Sequence, residues 1–362
     1  MDSKTFSFFL LKIRWFILVL FLGIAACRKP AKPPQNDFIR GADLSKLPKM
    51  EEDGTTYYNS KGIAENALEI FKSAGMNVVR LRLWVHPANA HSSLQEVAAF
   101  SKRIHTARLK VWLDLHYSDT WADPGHQTKP AAWANLSFQS LKDSVYTYTL
   151  HVVKTIQPEY IQIGNEINNG FLWNDGRISH PDQFTDLLKE GISATRNADS
   201  STRIILHYAG YKGADWFFGI MEKYHVDYDI IGLSYYPWWH GKSLNILQQT
   251  LNLLATQYHK EVVIAETAYP FTLSWNDQTN NIVGDTSQLL PEYPATEAGQ
   301  EAFLWKLRSI LQNTPAGRGF CYWEPEWVTI QNSNFVIGSP WENLSLFDFH
   351  HRALPAIQVF CP

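Results

Sequence analysis

The stretch YIQIGNEI at residues 160–167 begins with apolar and β-branched residues and ends in polar ones, among them Asn165 and Glu166. Seven other stretches have the same form. They are FIRGADLS at 38–45, VVRLRLWV at 78–85, KVWLDLHY at 110–117, RIILHYAG at 203–210, IIGLSYYP at 230–237, VVIAETAY at 262–269 and GFCYWEP at 319–325. Because β-branched and aromatic residues dominate them, these stretches predict eight strands.

Amphipathic stretches separate most of the candidate strands. In residues 138–156, for example, Val145, Val152 and Ile156 fall on one face with a helical period. The other helical stretches are 61–74, 93–108, 181–197, 243–258 and 296–312. Eight strands alternating with helices predict a single α/β domain, a (β/α)8 TIM barrel. An open doubly wound sheet is the alternative, but the turn after the first strand lacks the Gly-rich nucleotide-binding sequence typical of that fold.

The N-terminal segment has the composition of an export signal. Basic residues precede an apolar run over 15–24, which ends in Ile24-Ala25-Ala26-Cys27. That run is shorter than the ~20 residues that a spanning helix needs, so residues 1–27 predict a signal peptide. A Cys after two small residues resembles a bacterial lipoprotein box, in which Cys27 would carry the lipid. An ordinary signal peptide with an incidental Cys, or an uncleaved anchor, is the alternative.

The Pro-rich residues 28–37 predict a tether, followed by a catalytic domain over 38–362. We therefore expect an exported protein, lipid-anchored to a bacterial membrane on its periplasmic or outer face. Two cysteines remain in the domain, Cys321 and Cys361, and the sequence leaves open whether they pair.

Charge and composition narrow the class of partner. The 362 residues carry a formal net charge of −3, so nothing in them favours a nucleic-acid partner. Aromatic residues make up 14% of the chain, which suits either a large core or the stacking of rings on sugar faces. With no sign of a second domain or repeat, we expect a monomer.

Two carboxylates are the candidate catalytic groups. Glu166 ends the fourth candidate strand and Glu266 the seventh, so both should reach the C-terminal face of the barrel, where active sites of this fold lie. Retaining hydrolysis of a glycosidic bond needs two carboxyl groups about 5–5.5 Å apart, one as proton donor and one as nucleophile. The alternative is a pair of solvated acids at strand ends.

These residues resemble the glycoside hydrolases of clan A. The resemblance implies that Glu166 is the acid/base and that Glu266 is the nucleophile. It also implies that Arg80 or Arg82 supports the nucleophile, which would hold the pKa of Glu266 low, whereas that of Glu166 should be raised.

Three further positions match the clan pattern. By that resemblance Asn165 hydrogen-bonds the sugar 2-hydroxyl, and Trp323 forms the floor of the subsite at the cleaved bond. Tyr235 matches the clan's aromatic partner of the nucleophile, although Tyr236 is adjacent.

Longer motifs resemble family 53 of the glycoside hydrolases over the whole domain. They are GADLS at 41–45, RLRLWV at 80–85, DLHYSDTWADPGHQ at 114–127, IGNEIN at 163–168 and SYYPWW at 234–239. The resemblance implies a retaining arabinogalactan endo-β-1,4-galactanase that cleaves type I galactan of pectin. Another clan A endo-glycanase (a mannanase or cellulase), an exo-acting enzyme and a non-catalytic glycan-binding barrel are the alternatives.

Two long loops follow the third and seventh candidate strands, at 118–137 and 270–294. Loops of this length in a compact domain are usually functional. In and near the first, His116, Asp119 and Trp121 are candidate substrate-binding residues, and so is Trp238 after the sixth strand. The adjacent Trp239 could stack on a sugar face or pack in the core. The sequence offers no partner at metal-ligand spacing from His116, so we expect it to hydrogen-bond.

The proposed chemistry requires no cofactor and no metal. Some bacterial members of the family carry calcium in the loop after the seventh strand. The loop 270–294 offers Asn and Asp oxygens to such an ion but few acids, so a structural calcium stays open.

Overall fold

The computed structural model describes residues 38–331 and 336–362. The predicted signal peptide with Cys27 and the tether over 28–37 lie outside the described residues. Within the described part, no helix is both long and apolar enough to cross a membrane.

Eight parallel strands close into a barrel, which confirms the predicted (β/α)8 fold. Each strand pairs with its sequence neighbour, and β1 closes the ring by pairing with both β2 and β8. The strands are β1 Ile39–Asp43, β2 Val78–Leu83, β3 Lys110–Leu115, β4 Tyr160–Ile163, β5 Arg203–Ala209, β6 Ile230–Ser234, β7 Glu261–Thr267 and β8 Gly317–Trp323.

The barrel interior changes from apolar to polar along the strands. A buried cluster takes an apolar side chain from every strand, Trp112 and Ile205 among them. Two residues further along the same strands stand Asp114 and His207, both with no exposed surface. Because side chains on one face of a strand recur every second residue, this polar layer lies above the apolar one, toward the C-terminal face.

Helices fill the crossovers, and α4 begins and ends where the sequence pattern does. The stretch predicted as helical over 61–74 forms a helix only over Ala67–Ser73, because Ala64–Glu65 pairs with Tyr57–Tyr58 as a short hairpin. The helices are α1 Leu47–Glu52, α2 Ala67–Ser73, α3 Leu94–Thr106, α4 Phe138–Ile156, α5 Pro181–Ala198, α6 Ala214–Lys223, α7 Pro237–His240, α8 Leu244–Gln257 and α9 Glu297–Asn313. The sequence reading did not single out α1, α6 or the one-turn α7, which follows β6 directly at the C-terminal face.

Three long connections cover the C-terminal face. Two are the predicted loops after β3 and β7. The third follows β8 from residue 324 to 354, was not among the predicted loops, and contains only short elements in its described residues. Those elements are strands Ile330–Gln331 and Val336–Ile337 and the 3-10 turn Glu342–Leu344.

Candidate active site

Glu266 lies on β7 with two partners on its carboxylate. Its Oε1 is 2.8 Å from Nη2 of Arg80, and its Oε2 accepts a hydrogen bond of 3.0 Å from the hydroxyl of Tyr236. The side chain of Glu266 is nearly buried and that of Arg80 fully so. One cation and one phenol therefore stabilise negative charge on this carboxylate.

Glu166 comes three residues after the end of β4, in a backbone conformation with φ of 45°. That left-handed turn follows Gly164, whose φ is 85° and where a Cβ would lie 2.5 Å from Ile167. A glycine is thus required for the chain to turn Glu166 into the cleft. The Oε1 of Glu166 accepts a hydrogen bond of 2.5 Å from Ser234 at the end of β6.

Arg80 on β2 joins the polar layer to the site. Its guanidinium forms ion pairs with Asp43 at 2.6 Å and with Asp114 at 2.9 Å, besides the pair with Glu266. It also donates a hydrogen bond of 3.0 Å to the side-chain oxygen of Asn165. The amide nitrogen of Asn165 in turn donates to the carbonyl oxygen of Ala122 at 2.8 Å. Arg80 is therefore the arginine that supports Glu266, which resolves the choice that the sequence left open.

Arg82, two residues along β2, serves the wall of the cleft. It donates to Glu324 at 2.8 Å, and its guanidinium lies 4.0 Å from the ring centre of Trp121. A cation stacked on a ring stabilises that ring in place. Arg82 thus supports an aromatic surface and makes no ion pair with Glu266.

The two glutamates titrate as a pair. Burial raises the pKa of Glu166 to about 7, and the hydrogen bond from Ser234 opposes that rise. Burial also raises the pKa of Glu266, with the charge of Glu166 adding to the rise and Arg80 opposing it. The predicted low pKa of Glu266 is therefore wrong, because burial outweighs Arg80.

Repulsion between the carboxylates favours a state in which the pair holds one proton. The ion pair with Arg80 and the phenol of Tyr236 stabilise the charge on Glu266. Glu166 has only the hydroxyl of Ser234 as a side-chain partner, so these contacts assign the shared proton to Glu166, although burial raises the pKa of both carboxyls. One carboxyl acid and one carboxylate then face the same cleft.

His116 lies below Trp121 as a hydrogen-bonding residue, as the sequence predicted. Its Nδ1 accepts a hydrogen bond of 3.0 Å from the backbone of Ala122, and its Nε2 lies 3.0 Å from Asp114. Burial lowers the pKa of His116, so the ring is neutral and donates from Nε2. Among residues 38–331 and 336–362, no group of three or more His, Cys, Asp and Glu side chains could hold a metal ion.

Aromatic side chains form the walls of the cleft, whose volume is about 510 Å³. Trp121 and Trp323 have ring centres 6.0 Å apart, and Trp341 packs edge-on against Trp323 at 4.5 Å. Trp239 projects from α7 with 57% of its surface exposed, and its ring centre lies 6.5 Å from that of Trp341. Such surfaces suit the apolar faces of pyranose rings.

Three predicted site residues lie away from the cleft. The hydroxyl of Tyr235 donates to Gly241 O at 3.1 Å, and its ring packs against Phe303, so Tyr236 is the aromatic partner of Glu266. Both residues follow the end of β6, and Tyr236 is still extended, so successive side chains point to opposite faces and the exchange is explained. Trp238 likewise packs on the core while Trp239 faces the cleft.

Asp119 is the third of these residues, and it stabilises the loop after β3 instead of lining the cleft. Its carboxylate accepts hydrogen bonds from the backbone of His86 at 2.9 Å and of Ala131 at 2.8 Å. Turn-forming Asp residues commonly bind backbone amides in this way. Its role in substrate binding therefore stays a prediction, while its contacts in the structure are with the loop.

Several residues of the site were not among those chosen from the sequence. Tyr236 stands next to the predicted Tyr235, and for Trp239 in SYYPWW the sequence left stacking on a sugar or core packing open. Trp327 and Trp341 lie in the loop after β8, where no strand or helix pattern assigned them to the cleft. Ser234 and His207 stood inside predicted strands, and only the polar ends of those strands pointed to them.

In the loop over 270–294, where the sequence left a calcium ion open, Asp277 is a nearly buried acid. Its carboxylate accepts hydrogen bonds from the backbone of Thr279 at 2.5 Å and of Ser339 at 2.8 Å, and from the hydroxyl of Thr329. Donors from the loop after β8 thus already stabilise this carboxylate. Both domain cysteines are free thiols, Cys321 buried and Cys361 partly exposed.

Comparison with known proteins places this geometry in a family. The model of glycosyl hydrolase family 53 matches residues 39–360, which is nearly the whole described domain. The chain belongs to glycosyl hydrolase family 53. The family 53 chain is 36% identical to an arabinogalactan endo-beta-1,4-galactanase of Cellvibrio japonicus, over 93% of this chain and 94% of that protein.

Two more relatives of the family 53 chain agree. An endo-beta-1,4-galactanase of Bacillus subtilis is 33% identical over 92% of this chain and 87% of its own length. The solved GH53 catalytic domain of Ignisphaera aggregans superposes with a TM-score of 0.85 and is 36% identical, covering 92% of this chain and 98% of that one. The fold of the family 53 chain is therefore that of a solved family member.

Proposed function

We propose that this chain is a retaining endo-β-1,4-galactanase that cleaves internal galactosidic bonds of type I (arabino)galactan. The observation that carries the proposal is the pair of buried carboxyl groups with unlike partners: Glu266 with Arg80 and Tyr236, and Glu166 with Ser234 alone. The substrate class rests on the family and on relatives named as galactanases.

In the first step, Glu266 attacks the anomeric carbon, and the bond to the leaving oxygen breaks as Glu166 gives that oxygen its proton. Esterification removes the charge of Glu266, so Glu166 can lose its proton without a second carboxylate beside it. Glu166, now ionised, takes a proton from water, and the hydroxide oxygen displaces Glu266 from the sugar. Glu166 is then protonated again and Glu266 is a free carboxylate. Protein side chains supply every group, and no cofactor is needed.

Other site residues bind and orient the sugar in this proposal. Asn165 presents its amide group beside the two glutamates, where a 2-hydroxyl would accept or donate a hydrogen bond. Trp323 and Trp121 offer ring faces, and His116 holds the loop that carries Trp121.

The test is hydrolysis of potato or lupin galactan beside mannan, xylan and cellulose, with the products resolved by size. We expect cleavage of galactan into a ladder of oligosaccharides, and Glu266→Gln should lower turnover by at least about 10³-fold. A wild-type preference for mannan or cellulose would contradict the substrate, and full turnover by Glu266→Gln would contradict the mechanism. Galactose as the sole early product would indicate exo-action.

We also propose that the chain is exported, anchored by a lipid on Cys27 and active as a monomer. The support is the sequence of residues 1–37, with its basic start, short apolar run and Pro-rich tether. Wild-type protein should enter the membrane fraction, and Cys27→Ser should release it. Equal partitioning of the two would contradict the anchor, and sedimentation of the detergent-solubilised enzyme tests the monomer.

A further inference from the structure

A chain of hydrogen bonds reaches Glu166 from the buried interior of the barrel. Ser234 Oγ lies 2.5 Å from Oε1 of Glu166 and 2.8 Å from Nε2 of His207. Ser234 and His207 have no exposed surface. A hydroxyl has one hydrogen to donate, so the direction of this chain depends on which ring nitrogen of His207 carries its proton.

Gln162 on β4 settles that choice. Its Oε1 accepts from Nε of Arg80 at 3.3 Å, and its Nε2 donates to Oδ1 of Asp114 at 2.7 Å. A cation on one side and a carboxylate on the other fix the orientation of the amide. The same Nε2 lies 2.8 Å from Nδ1 of His207, which is nearer than the oxygens of Asn165 at 3.2 Å and Gly164 at 3.4 Å, so the second hydrogen goes to Nδ1.

A second donor faces the same nitrogen, since the backbone amide of Glu166 lies 3.4 Å from Nδ1 of His207. The side-chain oxygen of Asn165 is also 3.0 Å from Nδ1 and could accept a second hydrogen beside that of Arg80. A hydrogen on Nδ1 would, however, meet the hydrogens of the Gln162 amide nitrogen at 2.8 Å. Nδ1 of His207 therefore accepts hydrogen bonds, and the single proton of a neutral ring lies on Nε2.

The surroundings of His207 keep the ring neutral. Burial lowers its pKa well below the usual value, and the charge of Arg80 adds to that effect while Asp114 opposes it. The titratable and charged groups that act on His207 or Glu166 from neighbouring elements are Arg80, Asp114, His116, Asp123, His240 and Glu266.

We propose that His207, acting through Ser234, decides which oxygen of Glu166 carries the catalytic proton. His207 Nε2–H donates to Ser234, and Ser234 must then donate its own hydrogen to Oε1 of Glu166. A proton on Oε1 would face the hydrogen that Ser234 donates, so the acid proton is on Oε2. Oε2 is then the oxygen that can donate to the glycosidic bond. This inference rests on the proposed function.

The opposite tautomer would reverse every bond of the chain. Nε2 would accept from Ser234, and Glu166 would spend its proton on Ser234 instead of on the leaving group. After Glu266 is esterified, the hydrogen bond from Ser234 stabilises the ionised Glu166 that activates water. Ser234 and His207 are thus positioning residues, since neither touches the sugar.

The test compares kcat/KM of Ser234→Ala on two substrates. On galactan, whose leaving group needs a proton, we expect a loss of about 10- to 100-fold. On a 2,4-dinitrophenyl β-galactobioside, whose leaving group departs without a proton, the loss should stay below about threefold. Ser234→Thr, which keeps the hydroxyl, should recover most of the activity on galactan.

Two controls separate this account from simple damage to the core. Ser101 on α3 has another buried hydroxyl, which has no hydrogen-bond partner. Ser101→Ala should therefore leave kcat/KM on both substrates unchanged. Glu166→Ala in the same assays tests the proposed function itself, because full activity on galactan would overturn the acid/base assignment and not merely the positioning of its proton.

A second measurement does not depend on the stability of a Ser234 variant. In wild-type enzyme labelled with 15N-histidine, the resonances of His207, assigned by their absence in His207→Gln, should report a proton on Nε2 and none on Nδ1 at neutral pH. A proton on Nδ1, or equal losses by Ser234→Ala on both substrates, would overturn the proposal.

Discussion

The hydroxyl of Tyr236 lies 3.0 Å from Oε2 of Glu266, while Tyr235, its neighbour in sequence, points into the core. The same dipeptide therefore holds one residue for the site and one for packing. Since Glu266 must carry negative charge before it attacks, the phenol that donates to it contributes to the reaction.

This relationship gives a matched pair of variants. Tyr236→Phe should lower kcat on galactan by about 10- to 100-fold, because a charge-assisted hydrogen bond to the nucleophile is lost. Tyr235→Phe instead removes the hydrogen bond to the carbonyl oxygen of Gly241, so it should lower the unfolding free energy by about 1 kcal/mol and leave kcat unchanged. Steady-state kinetics and thermal unfolding of both variants check this, and equal loss of kcat in the two would contradict it.

The raised pKa of Glu166 predicts the alkaline side of the pH profile. Because the acid form is required, kcat/KM should fall as the pH rises through about 7. The sign for stability is the same. The folded state holds a proton that the unfolded carboxyl releases near its usual pKa of about 4.3, so the unfolding free energy should fall as pH rises from there toward 7.

Glu166→Gln removes that titration and provides the control. Its unfolding free energy should depend less on pH over this range than that of the wild type, as chemical denaturation at several pH values would show. An alkaline limb of kcat/KM near pH 5 would mean that burial does not dominate at this carboxyl.

Arg80 joins three buried carboxylates, and a lysine cannot replace its fork of donors. Arg80→Lys should lower kcat/KM by about 100-fold or more and the unfolding free energy by about 2–4 kcal/mol. A single ammonium group would keep one of the three ion pairs, so two buried acids would lose theirs. Arg103→Lys is the control. Its pair with Glu51 is solvent-exposed, so the unfolding free energy should change by less than about 0.5 kcal/mol. Similar effects of the two changes would contradict the role given to Arg80.

Trp121 is 39% exposed at the wall of the cleft, against Arg82 and Trp323. Trp121→Ala should raise KM for galactan about tenfold or more with a smaller change in kcat, because an aromatic binding surface is lost. Trp216→Ala removes an even more exposed ring, at 60%, from α6 and should leave KM unchanged. An unchanged KM for Trp121→Ala would place substrate binding elsewhere.

Much of the barrel could be predicted because its strands carry two signals at once. The apolar start of a strand such as YIQIGNEI gives the wall, and its polar end gives the site, so Glu166 and Glu266 followed from position along the strand. The side chains that contact these two glutamates could not be chosen from position along a strand alone. Whether Arg80 or Arg82 reaches Glu266 depends on the height of each residue in the barrel, and a sequence does not report that height.

The errors have a common physical cause. Tyr235 and Trp238 were chosen over their neighbours where the chain turns from β6 into α7. At that turn one side chain faces the cleft and the next faces the core, so an error of one residue selects a core residue. Trp341 was missed because it comes from an irregular loop after β8, where no periodicity indicates which side chains face inward. His207 gave only a weak signal, because its role depends on bonds to Gln162 and Ser234 from two other strands.

The most direct test of the central claim is 1H NMR of galactan hydrolysis in D2O during the first turnovers. Double displacement through Glu266 predicts that new reducing ends appear first as the β-anomer and only later equilibrate to the α-anomer. Initial release of the α-anomer would contradict the roles assigned to Glu166 and Glu266, and an absence of new reducing ends from galactan would contradict the proposed substrate.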